Sequence, residues 1–405
     1  MSQLLLYNSR VILKDGVKPG GVLIRDRRIE LIFNSDQTPV GLSSSDSVDL
    51  GGAYLAPGFI DIHIHGSDGI DVQETDDVGL RKLSDFLIAE GVTGYFPTFV
   101  PADEKVYREA TTTIELFMRQ QRKDELGKRP VTARVIGIHF EGPFVSKNRC
   151  GALQSAHFRI YEDKPTSLSL FFGRSPMDRR LMTLAPEITG ATELVKELAH
   201  NGVRPFIGHS QADRESLDRA FAFGARHITH FPNALDQLHH RKPGAVAWGL
   251  LRDDVTLDCI ADFHHLHPDM LRLLYKLKTP QRMALISDAI KPTGMGDGEF
   301  SVWGEPILVK NGRTSLARKP EESTIAGSVV TLRQAVKNMV EIGVPLQHAV
   351  YMATAVPARV AGLEDFGLIE EGMFGDLISF NDDFEIRFAT IGGAPAYKRV
   401  LETNT

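Results

Sequence analysis

Two histidines two residues apart, His63 and His65, close the apolar run Ala56-Pro57-Gly58-Phe59-Ile60-Asp61-Ile62-His63-Ile64-His65-Gly66. On a strand, side chains at i and i+2 point to the same face, so both imidazoles converge on one point. Converging imidazoles suit a transition metal. Further residues of the right type stand where other apolar runs stop: Glu141 in Ile138-His139-Phe140-Glu141-Gly142-Pro143, His209 in Ile207-Gly208-His209-Ser210, His230 in Ile228-Thr229-His230-Phe231, and Asp288 in Leu285-Ile286-Ser287-Asp288-Ala289. Imidazole and carboxylate ligands fit zinc or iron and leave a coordination position open for water. A bound ion brings the pKa of such a water towards ~7, and a carboxylate beside it can move the proton to a leaving group. Each residue alone has a plainer reading: Glu141 as a cap on the turn at Gly142-Pro143, Asp288 as a helix N-cap. Together they predict metal-assisted hydrolysis.

The elements that would position this set are eight apolar runs of β type, at 59–65, 94–99, 135–140, 181–185, 203–207, 227–231, 255–261 and 283–287. Helical patterns lie between most of them, at 77–90, 103–121, 189–201, 212–223 and 267–277. Strands covered on both faces read as continuous apolar runs. Eight strand–helix units predict a (β/α)₈ TIM-type barrel, whose reactive residues sit at the C-terminal ends of the strands. A hairpin is expected at 298–313 and a further helix at 329–342. Short strands broken by Asp15-Gly16 and Pro19-Gly20-Gly21 mark the start of the chain, and strand-like runs at 375–380 and 386–391 mark its end, with one more expected at 399–401. The polar stretch 34–46 reads as a loop. The expected division is a small β-sandwich domain from 1–56 plus 375–405, enclosing a barrel over 57–374.

A net charge of −6, with no stretch dense in Lys and Arg, argues against nucleic acid as a partner. No apolar run approaches the roughly 20 residues of a membrane span, and the first residues lack the apolar core of a signal peptide. Cys150 and Cys259 are the only cysteines, which fits a reducing compartment. A cytoplasmic protein is expected. His139 shares the face of Glu141 and is expected beside the site; Trp248 and Trp303 read as packing.

The motifs resemble those of the amidohydrolase superfamily and, within it, the N-acetylglucosamine-6-phosphate deacetylase family. The match covers nearly the whole chain. Besides the segments quoted above it includes Thr229-His230-Phe231-Pro232-Asn233-Ala234, His239-His240-Arg241-Lys242-Pro243-Gly244, Ile260-Ala261-Asp262 and Ala326-Gly327-Ser328. The Glu-Gly-Pro and His-x-x-Asn-Ala elements together are specific to these deacetylases. The resemblance implies a divalent metal, zinc or else iron, held by Glu141, His209 and His230. It implies a second position completed by His63 and His65, so one or two ions. It implies Asp288 as catalytic acid/base, and Asn233, Ala234, Arg241 and His265 as the residues that hold a phosphorylated amino sugar. It also implies a homodimer in which part of the phosphate site crosses the interface. The reaction implied is removal of the N-acetyl group from an N-acetylhexosamine 6-phosphate.

Two departures lie on the sugar side. Where the family has Lys-Gly-Ala-His, this chain has Cys150-Gly151-Ala152-Leu153, so Leu153 occupies a sugar-binding position. Where it has Asp-Gly-x-His, this chain has Asp262-Phe263-His264-His265. An amidohydrolase acting on a different N-acyl amino sugar or another amide is the alternative. Cyclic-amide hydrolases that bridge two metals with a lysine from strand four fit less well, because run four ends in Ala185-Pro186-Glu187. A metal-free scaffold should have lost ligands, and none of the six is missing.

Overall fold

Eight parallel strands carry the site: β1 (Phe59–Ile64), β2 (Val92–Phe99), β3 (Gly137–Glu141), β4 (Arg179–Leu184), β5 (Val203–Ile207), β6 (His227–Ile228), β7 (Thr256–Ile260) and β8 (Met283–Ile286). They pair in sequence order, β1 with β2 through to β7 with β8. Closure runs through the residues just past β8. Ile64 bridges Ala289 in parallel, and the backbone N–H groups of His65 and Gly66 donate to the Ala289 carbonyl at 2.8 and 3.0 Å. The computed structural model describes residues 3–37, 46–127, 129, 131–162, 168–174, 178–317 and 324–399.

All eight runs read from the sequence are barrel strands. Run six is shorter than expected, with His227–Ile228 alone in the ladder, because the chain turns at His230, whose φ is +33°. Helices follow the strands as the 3.6-residue periodicity predicts. In Asp77–Ala89, Leu80, Leu83, Leu87 and Ile88 form the buried stripe, and the Asp76 carboxylate caps the helix by accepting from Gly79 N–H. The helix Gly244–Leu251 had no such signal, since its sequence GAVAWGLL is apolar all round.

The chain ends form a separate eight-stranded sheet in the order Ala394–Lys398, Ile386–Ile391, Leu377–Phe380, Tyr54–Pro57, Gln3–Leu13, Gly16–Arg25, Arg28–Asn34, with Ser47–Asp49 beside Gln3–Leu13. Alternation along the first strand sends Leu4 and Leu6 into one apolar cluster with Val22, Ile24 and Phe388, and Leu5 into another with Leu23 and Phe33. The two faces of this sheet therefore pack into separate apolar clusters. Half-buried Arg134 ties this sheet to the barrel by pairing with Asp376 and, at 2.6 Å, with Glu125. The loop expected at 34–46 falls largely on 38–45, and the strand expected at 399–401 on 400–401; both lie outside the described residues.

Between β8 and the helix Leu332–Glu341 stands a three-stranded meander, Gly298–Val302, Glu305–Lys310 and Arg313–Leu316. The sequence predicted its first hairpin but not the third strand. That strand is pinned at its second residue, where Thr314 Oγ1 donates to the Gly327 carbonyl at 2.6 Å.

Candidate metal centre and active site

The six residues expected at strand ends meet at one point. His209 and His230 place Nε2 at 2.9 and 3.0 Å from Glu141 Oε1, and 3.1 Å from each other. His63 and His65 bring their Nε2 atoms to 3.1 Å separation. His65 Nε2 is 3.4 Å from Glu141 Oε2, and Asp288 Oδ1 lies 3.3 and 3.2 Å from His63 and His65. Two buried triads that could each hold a metal ion result, His63–His65–Glu141 and Glu141–His209–His230, sharing the one carboxylate.

The hydrogen bonds on the far side of the rings show what these atoms need. His209 Nδ1–H donates to the Arg149 carbonyl at 2.8 Å and His65 Nδ1–H to the Thr98 carbonyl at 3.0 Å. Each ring then turns an Nε2 lone pair towards anionic oxygen. Acceptors facing acceptors in a buried site require a cation between them. Metal–nitrogen bonds of about 2.0–2.1 Å separate tetrahedral neighbours by roughly 3.3 Å and right-angled ones by about 2.9 Å. The observed separations fall in that range, so the donor set fits a divalent ion in chemistry and in spacing.

Titration behaviour agrees. Burial opposes ionisation of Glu141, yet His63, His209 and His230 outweigh it and hold the carboxyl well below its ordinary range. Burial also opposes a charged His230, but the hydrogen bond and charge of Glu141 push it up to about 9. Protons take the place that a metal ion would fill. His63, pressed well down by burial, stays neutral and ligand-ready.

Backbone geometry aims these side chains. His209, His230 and Asp288, all non-glycine, have φ of +48°, +33° and +48°, a sparsely populated region that persists where surrounding structure enforces it. Gly208 permits the turn before His209, since an added Cβ would lie 2.5 Å from Thr183 Cγ2. Two buried aspartates inside the apolar runs hold the frame. Asp61 Oδ1 accepts from His63 N–H and Ser287 N–H, both at 3.3 Å, joining β1 to the chain after β8. Asp258 accepts from His227 Nε2–H at 2.8 Å and from the backbone N–H of His230. Neither role was read from the sequence, although a charge inside a run buried on both faces was the available signal. Asp258→Ala leaves two buried donors unpaired and should cost about 2–4 kcal/mol. An unchanged urea unfolding midpoint would remove the clamp from this account.

His139 lies beside the site but is fully engaged. Its Nδ1 bonds to the Ile62 carbonyl and its Nε2 to Thr183 Oγ1, both at 2.9 Å, while its ring meets His63 edge-on at 4.7 Å. It positions the centre without facing it.

A cavity of about 470 Å³ opens over this cluster, lined among others by Asp288, Asn233, Ala234, His264, His265, Leu153, Trp303 and Arg313. His265 is fixed by Asp262, which accepts from its Nδ1–H at 2.7 Å. Leu153 packs in an apolar cluster with Val100, Val145, Phe158 and Trp303. Phe263 has φ of +64°, the conformation that the glycine of the family pattern adopts without strain. Arg241 does not reach this cavity within one chain. It is exposed on a tight turn closed by Lys242 N–H donating to the His239 carbonyl, and it is not among the lining residues. Trp303, expected as packing, stands edge-on to His65 at 5.0 Å. Arg313 and His264 were not anticipated.

A barrel whose strand ends gather these ligands defines a metal-dependent hydrolase class, and the chain belongs to the amidohydrolase family, whose model matches residues 54–396. It is 32% identical to the N-acetylglucosamine-6-phosphate deacetylase of Vibrio furnissii over 87% of this chain and 85% of that protein. It is 32% identical to the N-acetylgalactosamine-6-phosphate deacetylase of Escherichia coli O157:H7 over 88% and 89%. Among solved structures, a mutant N-acetyl-D-glucosamine-6-phosphate deacetylase from Mycobacterium smegmatis in complex with N-acetyl-D-glucosamine-6-phosphate superposes with a TM-score of 0.84, 27% identity, and coverage of 98% of this chain and 100% of that one.

Proposed function

We propose that this chain removes the N-acetyl group from an N-acetylhexosamine 6-phosphate, N-acetylglucosamine 6-phosphate first, yielding acetate and the hexosamine 6-phosphate. The observation that carries the reading is the convergence of two histidine pairs on Glu141, with Asp288 at hydrogen-bond range above one pair. The relatives' substrates support the choice of sugar.

Glu141, His209 and His230 would hold one divalent ion, and His63, His65 and Glu141 a second; zinc fits, as does iron. Such an ion supplies a nucleophilic water at neutral pH and polarises the acyl oxygen. Asp288 takes the proton of the attacking water on Oδ1 as the C–O bond forms, then gives it to the nitrogen as the C–N bond breaks. The main chain fixes Asp288 for this work: its N–H donates to the His63 carbonyl at 3.0 Å and its carbonyl accepts from Ser328 N–H at 2.8 Å. Asn233 and His265 orient the sugar phosphate from the cavity wall.

The same proposal includes a homodimer, in which exposed Arg241 is available to the partner's cavity, and a cytoplasmic location. No helix of the described residues is long and apolar enough to cross a membrane. It also includes the division into a domain of 1–56 plus 375–405 and a barrel over 57–374, supported by the separate sheets.

The test is acetate release from N-acetylglucosamine, N-acetylgalactosamine and their 6-phosphates, after chelation and after re-addition of zinc or iron. The reading expects fastest turnover with N-acetylglucosamine 6-phosphate and activity abolished by chelation and restored by metal. Preference for a non-phosphorylated amide would overturn it.

A further inference from the structure

Resting on the reading above, we propose that Leu153 and Trp303 form the acyl end of the site and open it to N-acyl groups longer than acetyl, so that N-propionyl- and N-butyrylglucosamine 6-phosphate are substrates beside the N-acetyl sugar. The order of the barrel sets the direction. Its strands pair in sequence around a closed ring. Asn233 follows β6 and His265 follows β7, so the sugar phosphate is held on that side of the cavity. In a ring of eight, β2 and β3 lie opposite β6 and β7. Leu153 packs on that far side, against Val100 at the end of β2 and Val145 after β3, and Trp303 joins the same cluster. With the scissile bond beside Asp288, a sugar that points towards Asn233 and His265 turns its acyl group towards this apolar wall. Where the family pattern has a histidine, Leu153 presents no polar atom to that group.

The wall is held in place from several directions. Trp303 and Gly304 are the two central residues of the hairpin joining Gly298–Val302 to Glu305–Lys310, with φ of +52° and +74°. Positive φ at both positions is the pattern of an I′ turn, which asparagine and glycine usually fill. A bulky residue there carries strain that its surroundings must offset. The offset is contact: the Trp303 ring meets His65 edge-on at 5.0 Å and packs with Leu153. Its carbonyl accepts from Gln154 Nε2–H at 2.7 Å, which fastens the hairpin tip to the segment carrying Leu153. Behind the wall lies a second cavity of about 180 Å³, which shares Ala152, Leu153 and Trp303 with the metal cavity and whose lining includes Val100, Pro101, Ala102 and Val106. A wall backed by packed core resists extra methylenes. One backed by a cavity can yield to them.

The bond changes are those of the acetyl reaction: water oxygen joins the acyl carbon, the C–N bond breaks, the nitrogen takes the proton from Asp288, and propionate or butyrate leaves in place of acetate. The experiment follows release of glucosamine 6-phosphate, the product common to the series, from its N-acetyl, N-propionyl and N-butyryl derivatives with the metal-loaded full chain. Burial of each added methylene favours the longer substrate, so kcat/KM for the N-butyryl sugar should stand about tenfold above that for the N-acetyl sugar. Leu153→His puts the family's residue at this position, and Trp303→Asn keeps a residue that the turn accepts. In both variants the butyryl-to-acetyl ratio should fall to one or below, and if one of them does not fold the other decides. A wild-type ratio below one would overturn the inference, as would a ratio that stays unchanged in the folded variants because both substrates lose equally. Release from none of the three substrates would sink the proposed function and this inference with it, whereas release confined to the N-acetyl sugar would sink the inference alone.

Discussion

Glu141→Gln should abolish tight metal binding and lower kcat/KM by about three orders of magnitude or more, roughly 4 kcal/mol of transition-state stabilisation. Glu141 is the one residue common to both ligand triads. Its two oxygens face three imidazole nitrogens within 3.4 Å, two on Oε1 and one on Oε2. Glutamine keeps the shape but removes the negative charge that makes the point attractive to a cation, and its amide offers one oxygen rather than two. The loss should therefore be electrostatic, with the fold intact and the circular dichroism spectrum unchanged. Elemental analysis after gel filtration is the direct readout. A full complement of tightly bound metal in the variant would contradict the ligand role and the architecture built on it.

Much of this centre was legible from the chain because a TIM-type barrel ties chemistry to position: side chains at the C-terminal ends of strands face one opening. Six residues of suitable type at five run ends could be expected to meet, and His63, His65, Glu141, His209, His230 and Asp288 do. The parts that stayed illegible depend on contacts without periodicity. Arg313 and Trp303 reach the cavity because an insertion folds back as a meander, and nothing in residues 298–316 signals which face of it meets the rim. The anchors of the ring orientations are main-chain carbonyls of Thr98 and Arg149, which a residue of any type would supply. Arg241 was assigned by motif, but its turn projects outward, and one subunit alone does not bring it to the cavity. Phe263 shows the opposite case, in which a sequence departure becomes intelligible only with a backbone angle beside it.

Asp288→Asn should separate metal binding from proton transfer, keeping the ion while kcat falls about 10²- to 10⁴-fold. The substitution suits the backbone, because Asn tolerates the left-handed region better than most residues, and Asp288 has φ of +48°. The main-chain bonds to His63 and Ser328 do not involve the side chain and survive. Asparagine can still place an oxygen near His63 and His65, so the ligand cluster loses little, but that oxygen is a poor base and holds no proton to return. The expected signature is bound metal near the wild-type level, KM for the phosphorylated sugar within a few-fold of wild type, and a collapse in turnover. Metal loss as deep as in Glu141→Gln would make Asp288 a ligand rather than the acid/base. Turnover near wild type would mean that another group carries the proton to the amine, and would remove Asp288 from the acid/base role.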